Sequence, residues 1–427
     1  MARCHVCIVG AGIVGCATAY ALAREDWRVT LIDALGAPGQ GASLANGAQL
    51  SYSYVEPLAT PAALRALPGW LLSASSPLRW RPRAEWAHWR WLVSFVLACR
   101  ASQVQRTTEA LLALSFLSRD TLHAWLNELP GVAEVVCHAR PGKLVLYRHA
   151  DARAAVQRQL AWQQALGCQQ RVVSADECVA IEPALAATTE PPTAFGVWTD
   201  SDEVVDPARL AQALAQASGA TLLLGERASG FDRQGAQLRR LRLVSGECVE
   251  ADHFVVATGA AAPGLLHPLG MRLPIEPITG YSLTLPIVRD EAAPHVSVTD
   301  QARKLVFARL GDRLRVAGFA DLVGAGLALA PARVNALREA VQARFPGACD
   351  MGQAEPWAGL RPATPSGRPM IGPTRWTNLW LNTGHGALGL TLAAGSAARL
   401  TGLMRGGLRG RDRVTADKSA DAVRAWR

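Results

Sequence analysis

The sequence predicts an α/β fold, and three observations carry that reading. A strand, a glycine turn, a helix, a second strand and an acid follow one another within the first 33 residues. Two later strands also run into glycine-rich turns. The composition, 50% hydrophobic and 19% charged over 427 residues, is that of a folded globular chain long enough for two or three lobes.

The opening unit begins with His5–Val9, a short apolar and β-branched run, followed by Gly10-Ala11-Gly12-Ile13-Val14-Gly15. Cys16–Arg24 is alanine-rich and helix-forming, and Arg28–Ile32 reads as a second strand ending at Asp33. Gly10 permits the tight turn, Gly12 lets the backbone approach a pyrophosphate, and Gly15 lets the helix pack on the strand. The glycine turn, with Ile13 and Val14, leads into a helix whose N-terminal N–H groups and partial positive charge suit phosphates. Asp33 is placed to accept hydrogen bonds from ribose hydroxyls and would repel a 2′-phosphate. The unit predicts a Rossmann-type dinucleotide site and leaves FAD or NAD open.

Further along, Asp206-Pro207 starts a helix through Ser218, and Thr221–Leu224 follows as a strand. Asp252–Gly259 reads as a buried strand whose small end, Ala257-Thr258-Gly259, lets the backbone lie close to a cofactor. A plain turn would look the same. Asn378–Thr383 runs through Gly384-His385-Gly386 and Leu388 into the small-residue helix Leu390–Leu403. That second helix N-terminus suits the negative charge a flavin gathers near N1 and O2 on reduction. Between these pieces, Gly142–Tyr147, Gly280–Leu285, Lys304–Ala308 and Leu314–Gly318 read as strands, and Leu111–Leu129 and Ala332–Phe345 as helices.

Lys and Arg outnumber Asp and Glu by 44 to 35, a net +9 that favours an anionic partner without naming one. Nine cysteines without a repeating interval read as reduced thiols of a cytoplasmic protein. Cys4 and Cys7, three apart on the first strand, face opposite sides and read as packed thiols rather than a metal or redox pair. No spaced His/Asp/Glu cluster predicts a metal. An apolar strand begins almost at once where a secretory signal would lie, and the longest apolar run, Trp91–Cys99, is far below the ~20 residues that span a bilayer. Leu64–Arg100 holds Trp70, Trp80, Trp86, Trp89 and Trp91 interleaved with arginines. Packing on the second lobe ranks first for it, peripheral docking on the inner face of a membrane close behind, and nucleic acid far below.

Taken together these stretches resemble the D-amino acid oxidase-like FAD-dependent oxidoreductases, and within them the D-amino acid dehydrogenases of small-subunit type. The resemblance is carried by Gly10–Gly15, Ser43–Ser51, Ile181–Leu185, Thr279–Thr284, Gly359–Pro365 and Leu379–Gly389, in that order. It implies that FAD is the cofactor, with Gly10, Gly12, Gly15 and Asp33 on its ADP half. Ser43, Asn46, Gly47 and Ala48 would pass beside the pyrophosphate and flavin, with Thr258 and Gly259 close by, and Thr383–Gly386 with Leu388 would cap the isoalloxazine at its pyrimidine end. Arg361 would grip the substrate carboxylate, since planar bidentate recognition is the work of Arg. Tyr281 is expected to hydrogen-bond or wall the substrate, or else to pack in its strand, and Tyr52 and Tyr54 share that ambiguity. His385 is expected at the reaction site by position rather than as a base.

The resemblance also implies an interleaved architecture: a Rossmann-type FAD domain from 1–56, 207–264 and 357–427, and an α+β substrate domain on a mostly antiparallel sheet from 57–206 and 265–356. The implied reaction is oxidation of a D-amino acid by hydride transfer from the α-carbon to flavin N5, giving a 2-oxo acid and ammonia, with electrons passed to a quinone or another carrier. Two alternatives stay open: an oxygen-using oxidase of glycine, sarcosine or a proline derivative, and an FAD-holding subunit without its own chemistry.

Overall fold

The computed structural model describes residues 3–55, 57–65 and 76–409, and most of its strands fall into two large sheets. The first has six strands in the order Met370–Pro373, Leu379–Thr383, His253–Val256, His5–Val9, Arg28–Asp33, Thr221–Leu224. Neighbours run parallel except at the Met370–Pro373 edge. A parallel sheet must be covered on both faces. Val6, Ile8, Val29 and Leu31 pack under the helices Ile13–Ala23, Pro207–Ala217 and Gly389–Arg409. Cys7, Val9, Ile32 and Phe254, on the other face, meet a small antiparallel sheet through Phe231 and Leu241.

The second sheet has nine strands. Its path is Glu355–Ala363, Glu276–Pro286, Arg313–Leu322, Leu305–Leu310, Ser297–Asp300, Lys143–Tyr147, Phe195–Thr199, Arg171–Ser174, with Leu78–Trp80 paired to Arg313–Leu322. Only two of its pairings are parallel, so it is mostly antiparallel. One face is buried under the helix Pro331–Arg344 and the other turns toward the first sheet. The chain visits the sheets alternately. Position 357, where the sequence reading placed the return to the first lobe, lies inside Glu355–Ala363, whose pairing with Glu276–Pro286 keeps the chain in the second sheet as far as Ala363.

Local chemistry explains most boundaries. Asp206 caps Pro207–Ala217 by accepting the N–H groups of Ala208 and Arg209, with Pro207 at the first helical position. The long helix Ala101–Glu128 starts well before Leu111, because its first turns are polar and show no apolar stripe to read. By length and apolarity, one helical stretch among the described residues, Gly386–Gly406, reaches a membrane-spanning scale. It is largely buried, packed between Ile13–Ala23 and Ala101–Glu128 as a core helix.

The tryptophan-rich segment divides by face. In the helix Trp86–Ala98, Trp91, Phe95 and Ala98 pack against Ile278, Leu322 and Ala363 of the second sheet, and Trp91 Nε1 donates to Ala363 O at 2.9 Å. Its opposite face exposes Trp86, 73% accessible, with Trp89, Val93, Val96 and Leu97. Trp70 and the basic tail beyond 409 lie outside the described residues.

Candidate active site

The site is assembled from the C-terminal ends of the first sheet and the facing side of the second. At the first turn, Gly10 has φ +108, and a Cβ there would stand 2.6 Å from Ala257 O. A Cβ on Gly15 would stand 1.7 Å from Gly10 O, so helix and turn touch backbone to backbone. A Cβ on Gly12 would meet only Ser43 Oγ, at 3.5 Å. Gly10 and Gly15 are therefore demanded by the protein itself, whereas Gly12 leaves the space that a closely approaching ligand needs. Ile13 N–H donates to Ser43 Oγ at 2.9 Å, fixing the 43–48 loop to the helix start, and the first turn from Ile13 and Val14 carries no acid. Asp33 Oδ2 accepts Ala11 N–H at 2.6 Å and Oδ1 accepts Leu35 N–H at 2.9 Å, which holds the carboxylate at the mouth of the turn.

The 43–51 loop then crosses to the second sheet. Asn46 Oδ1 accepts Ala48 N–H at 2.9 Å and supports the positive φ of +57 at Ala48. Ala45 O accepts Ser282 Oγ at 2.6 Å, and Gly47 lies against Val306. The third wall is the second glycine turn. Gly384 and Gly386 have φ of +81 and +56, Leu388 N–H closes the turn onto His385 O, and Gly389–Arg409 follows with no acid in its first turn. An isolated bridge pairs His385 with Ala363, two residues from Arg361. Thr383 Oγ1 donates to the carbonyl of Gly259, drawing the strand ends at 258–259 and 383 together.

Two buried polar atoms along these walls, Thr258 Oγ1 and His385 Nε2, have no hydrogen-bond partner among the described residues. Burial pushes the His385 ring down to about 3, so it is neutral at ordinary pH and a poor base. Orphaned buried donors and acceptors beside two acid-free helix N-termini fit a bulky dinucleotide bearing phosphates at one end and an electron-poor ring at the other.

Arg361 lies on Glu355–Ala363 opposite Ile278, and its guanidinium crosses Gly280 on the neighbouring strand. A Cβ at 280 would stand 2.7 Å from Arg361 Cζ, so only glycine leaves the guanidinium its bed. Arg361 Nη1 donates to Phe319 O at 2.5 Å, and no carboxylate pairs with the guanidinium among the described residues. Burial lowers its proton affinity, with Asp321 opposing. Ile278, Gly280 and Ser282 share this face, which turns toward the 45–47 loop.

The tyrosines need correcting. Tyr281 alternates to the opposite face of its strand, into the core with Phe319 and beneath Pro331–Arg344; burial and Asp321 push its phenol up. It does not share a wall with Arg361. Tyr52 is fully buried in the core of the first lobe, with its OH on Glu203 Oε2 at 3.2 Å and its ring edge-on to His123. Tyr54 is half-buried, its OH donating to Gln301 Oε1 at 2.9 Å and its ring carrying Lys143 Nζ at 4.2 Å. Of the three, Tyr54 alone borders the loop on the second sheet's side.

Sequence reasoning passed over Ser282, Thr391 and Lys143. Thr391 Oγ1 accepts Ser51 N–H and donates to Gln49 O, both at 3.4 Å, tying the loop to the second helix N-terminus. Its position two residues after Gly389 was the available signal. His123, His138 and Glu203 bring their ligating atoms close enough to share an ion. The spacings are nevertheless those of hydrogen bonds, 2.6 and 2.8 Å from the two imidazoles to Glu203, and Arg140 at 3.3 Å and Tyr52 take up the same oxygens. The cation beside that carboxylate argues against a metal there.

Two glycine turns at the strand ends of a parallel sheet, facing an antiparallel lobe that carries the half-buried Arg361, suit an oxidoreductase that holds a flavin nucleotide. Residues 5–403 match the family described as FAD dependent oxidoreductase, DAO, and the chain belongs to that family. It is 46% identical over 412 residues to D-amino acid dehydrogenase 2 of Ralstonia nicotianae, covering 94% of this chain and 96% of that protein. It is 45% identical over 402 residues to D-amino acid dehydrogenase 2 of Pseudomonas aeruginosa, covering 93% and 94%. Among solved structures it superposes on glycine oxidase from Bacillus cereus with a TM-score of 0.71 at 18% identity, covering 97% of this chain and 100% of that one. L-proline dehydrogenase from P. horikoshii gives 0.73 at 16%, covering 95% and 94%. At such identities the structural likeness speaks for the fold. The cofactor is FAD, as the family requires.

Proposed function

We propose that the protein oxidises D-amino acids to 2-oxo acids and ammonia, binding the substrate carboxylate on Arg361 and passing the electrons to a membrane quinone. The observation that carries the substrate class is the half-buried Arg361 guanidinium, without a carboxylate partner among the described residues, set on Gly280 and facing the 45–47 loop. A guanidinium of this geometry is complemented by a planar anion, and two parallel N–H···O bonds would fix the amino acid in one orientation. The relatives named as D-amino acid dehydrogenases support the D configuration.

When bound, FAD supplies the two-electron acceptor for the substrate's Cα–H bond. The chain's own residues bind, orient and exclude water. Phe319 O holds Arg361, Gly280 gives it room, and the Ala363–His385 bridge sets the depth of the second glycine turn beside it. The neutral His385 leaves the substrate nitrogen without a basic competitor at that wall, and the rate rests on orientation.

For the acceptor, the exposed stripe Trp86, Trp89, Val93, Val96 and Leu97, flanked by exposed Arg79, Arg81, Arg90 and Arg100, suits the interface of an anionic bilayer. Glu85, at the start of the helix, is paired with Arg83. This surface and a cytoplasmic location at the inner membrane face belong to one reading.

Anaerobic bleaching of the flavin band by a panel of D- and L-amino acids tests the substrate class. D-amino acids should bleach it, and Arg361→Leu and Gly280→Ala should need far higher substrate concentrations while keeping FAD. Tyr281→Phe, altered on the opposite face, should leave the substrate dependence unchanged. Bleaching by L-amino acids alone, or unaltered saturation in Arg361→Leu, would overturn the assignment.

A further inference from the structure

Lysine is rare in this chain, confined to positions 143, 304 and 418 among 44 cationic residues. Lys143 is fully buried at the start of Lys143–Tyr147. It stands in a row of side chains on the second sheet that meets every other residue of the 45–51 loop. Ser282 meets Ala45, Val306 meets Gly47, Ser297 Oγ accepts Gln49 Nε2 at 2.5 Å, and Ser51 Oγ accepts Lys143 Nζ at 2.9 Å.

Ser51 also gives its N–H to Thr391 Oγ1, in the first turn of Gly389–Arg409. The ammonium and the positive end of that helix therefore converge on one stretch of loop. Ser51 is also hydrogen-bonded to Asp202, so the nearest anion meets the ammonium only across that hydroxyl. The Tyr54 ring lies beneath Nζ at 4.2 Å, and Asp202 acts on it without an ion-pair contact among the described residues. Asp202 Oδ1 accepts the N–H of Tyr52 at 3.1 Å. Burial pulls the ammonium down to about 8 against the pull of Asp202, whose own carboxyl burial pushes up to about 6. An ammonium held this way is costly unless a further anion meets it. The guanidinium, which dominates the chain elsewhere, discharges far less readily.

We propose that Lys143 sets the electron affinity of the flavin site, holding positive potential at the Ser51–Thr391 wall beside the turn that receives the pyrimidine end of the flavin. The inference rests on the FAD reading of the crevice. It makes Lys143 an electrostatic residue acting across Ser51, outside the substrate's contacts.

Sulfite, which adds to oxidised flavin and leaves negative charge on the pyrimidine ring, is the probe. The flavin band of the purified wild type is recorded first; if FAD does not bind, the cofactor reading fails and this inference with it. With FAD bound, Lys143→Met should weaken sulfite binding by about tenfold or more, the scale of one unit charge felt through a protein interior, and should lower the flavin midpoint potential. A variant that holds FAD with sulfite affinity and potential both unchanged overturns the proposal. Should Lys143→Met fail to fold, the wild type decides. Its sulfite affinity, corrected for sulfite's own ionisation, should fall above a pH of about 8 as the ammonium discharges, and a flat profile overturns the proposal.

Discussion

Acidification from pH 7 to pH 5 should load one identifiable proton onto the unfolding equilibrium, through His385. Its imidazole is 2% exposed and has no partner for Nε2 among the described residues, and burial lowers its pKa to about 3, against 6.5 for a solvated ring. The unfolded chain therefore binds this proton as the pH falls below about 6.5, while the folded chain stays neutral down to about 3. Stability is fully present above the unfolded value and is lost as the pH falls toward the folded one. Integrated between pH 7 and 5, the loss is about 2 kcal/mol, against a total of roughly 5–15 kcal/mol for a typical domain. Because a chain with two lobes need not unfold in one step, the cleaner assay counts protons. Indicator-dye measurement of urea unfolding of the FAD-loaded protein at pH 5 should find about one more proton taken up by the wild type than by His385→Asn. At pH 7 the difference should shrink to about a quarter of a proton. Equal uptake by the two proteins at pH 5 would refute the neutral, buried imidazole.

Two further predictions concern the cofactor turn and the exposed helix. Gly12→Val should fold with an ordinary far-UV spectrum yet retain no FAD, since a side chain there meets only Ser43 in the protein and otherwise fills ligand space. Gly15→Ala, whose new carbon would stand 1.7 Å from Gly10 O, should lower the melting temperature as well; equal melting temperatures would show that the close contact does not govern packing. In sedimentation with vesicles, the wild type should bind anionic but not neutral lipid, and Trp86→Ser with Trp89→Ser should abolish binding without altering flavin content. Binding that survives the double substitution would move the docking surface elsewhere.

The parts legible in sequence were those whose chemistry is local. His5–Val9 and Thr221–Leu224 carry the boundaries their apolar runs suggest, and Gly10 and Gly15 occupy positions no other residue could. Arg361 stood out through the company of its segment, whereas its setting, on Gly280 with Phe319 O as acceptor and no carboxylate partner among the described residues, appears only when other strands are brought beside it. For Tyr281 sequence left two readings open, and the packed one holds, because strand parity decides the face and parity relative to Arg361 depends on a pairing register that sequence does not carry. Tyr52 follows the loop toward the crevice in sequence but turns its ring inward to Glu203, a partner 151 residues away. Lys143 and Thr391 meet only through Ser51, a conjunction of three distant segments.

The order of the six-stranded sheet also bears on how the chain is made. His5–Val9 is central in the finished protein, yet only Arg28–Asp33 emerges soon after it. Its other neighbour, His253–Val256, follows roughly 220 residues later, which at ribosomal speed is about 10–45 s. For that interval the nascent chain presents an open apolar strand edge, while the residues of the antiparallel sheet, themselves rich in strand, are delivered beside it. Such an edge is a template for wrong partners. The arrangement that lets one crevice gather residues from 10 to 391 thus makes the growing chain a natural client of holding chaperones, and slower translation lengthens its exposure.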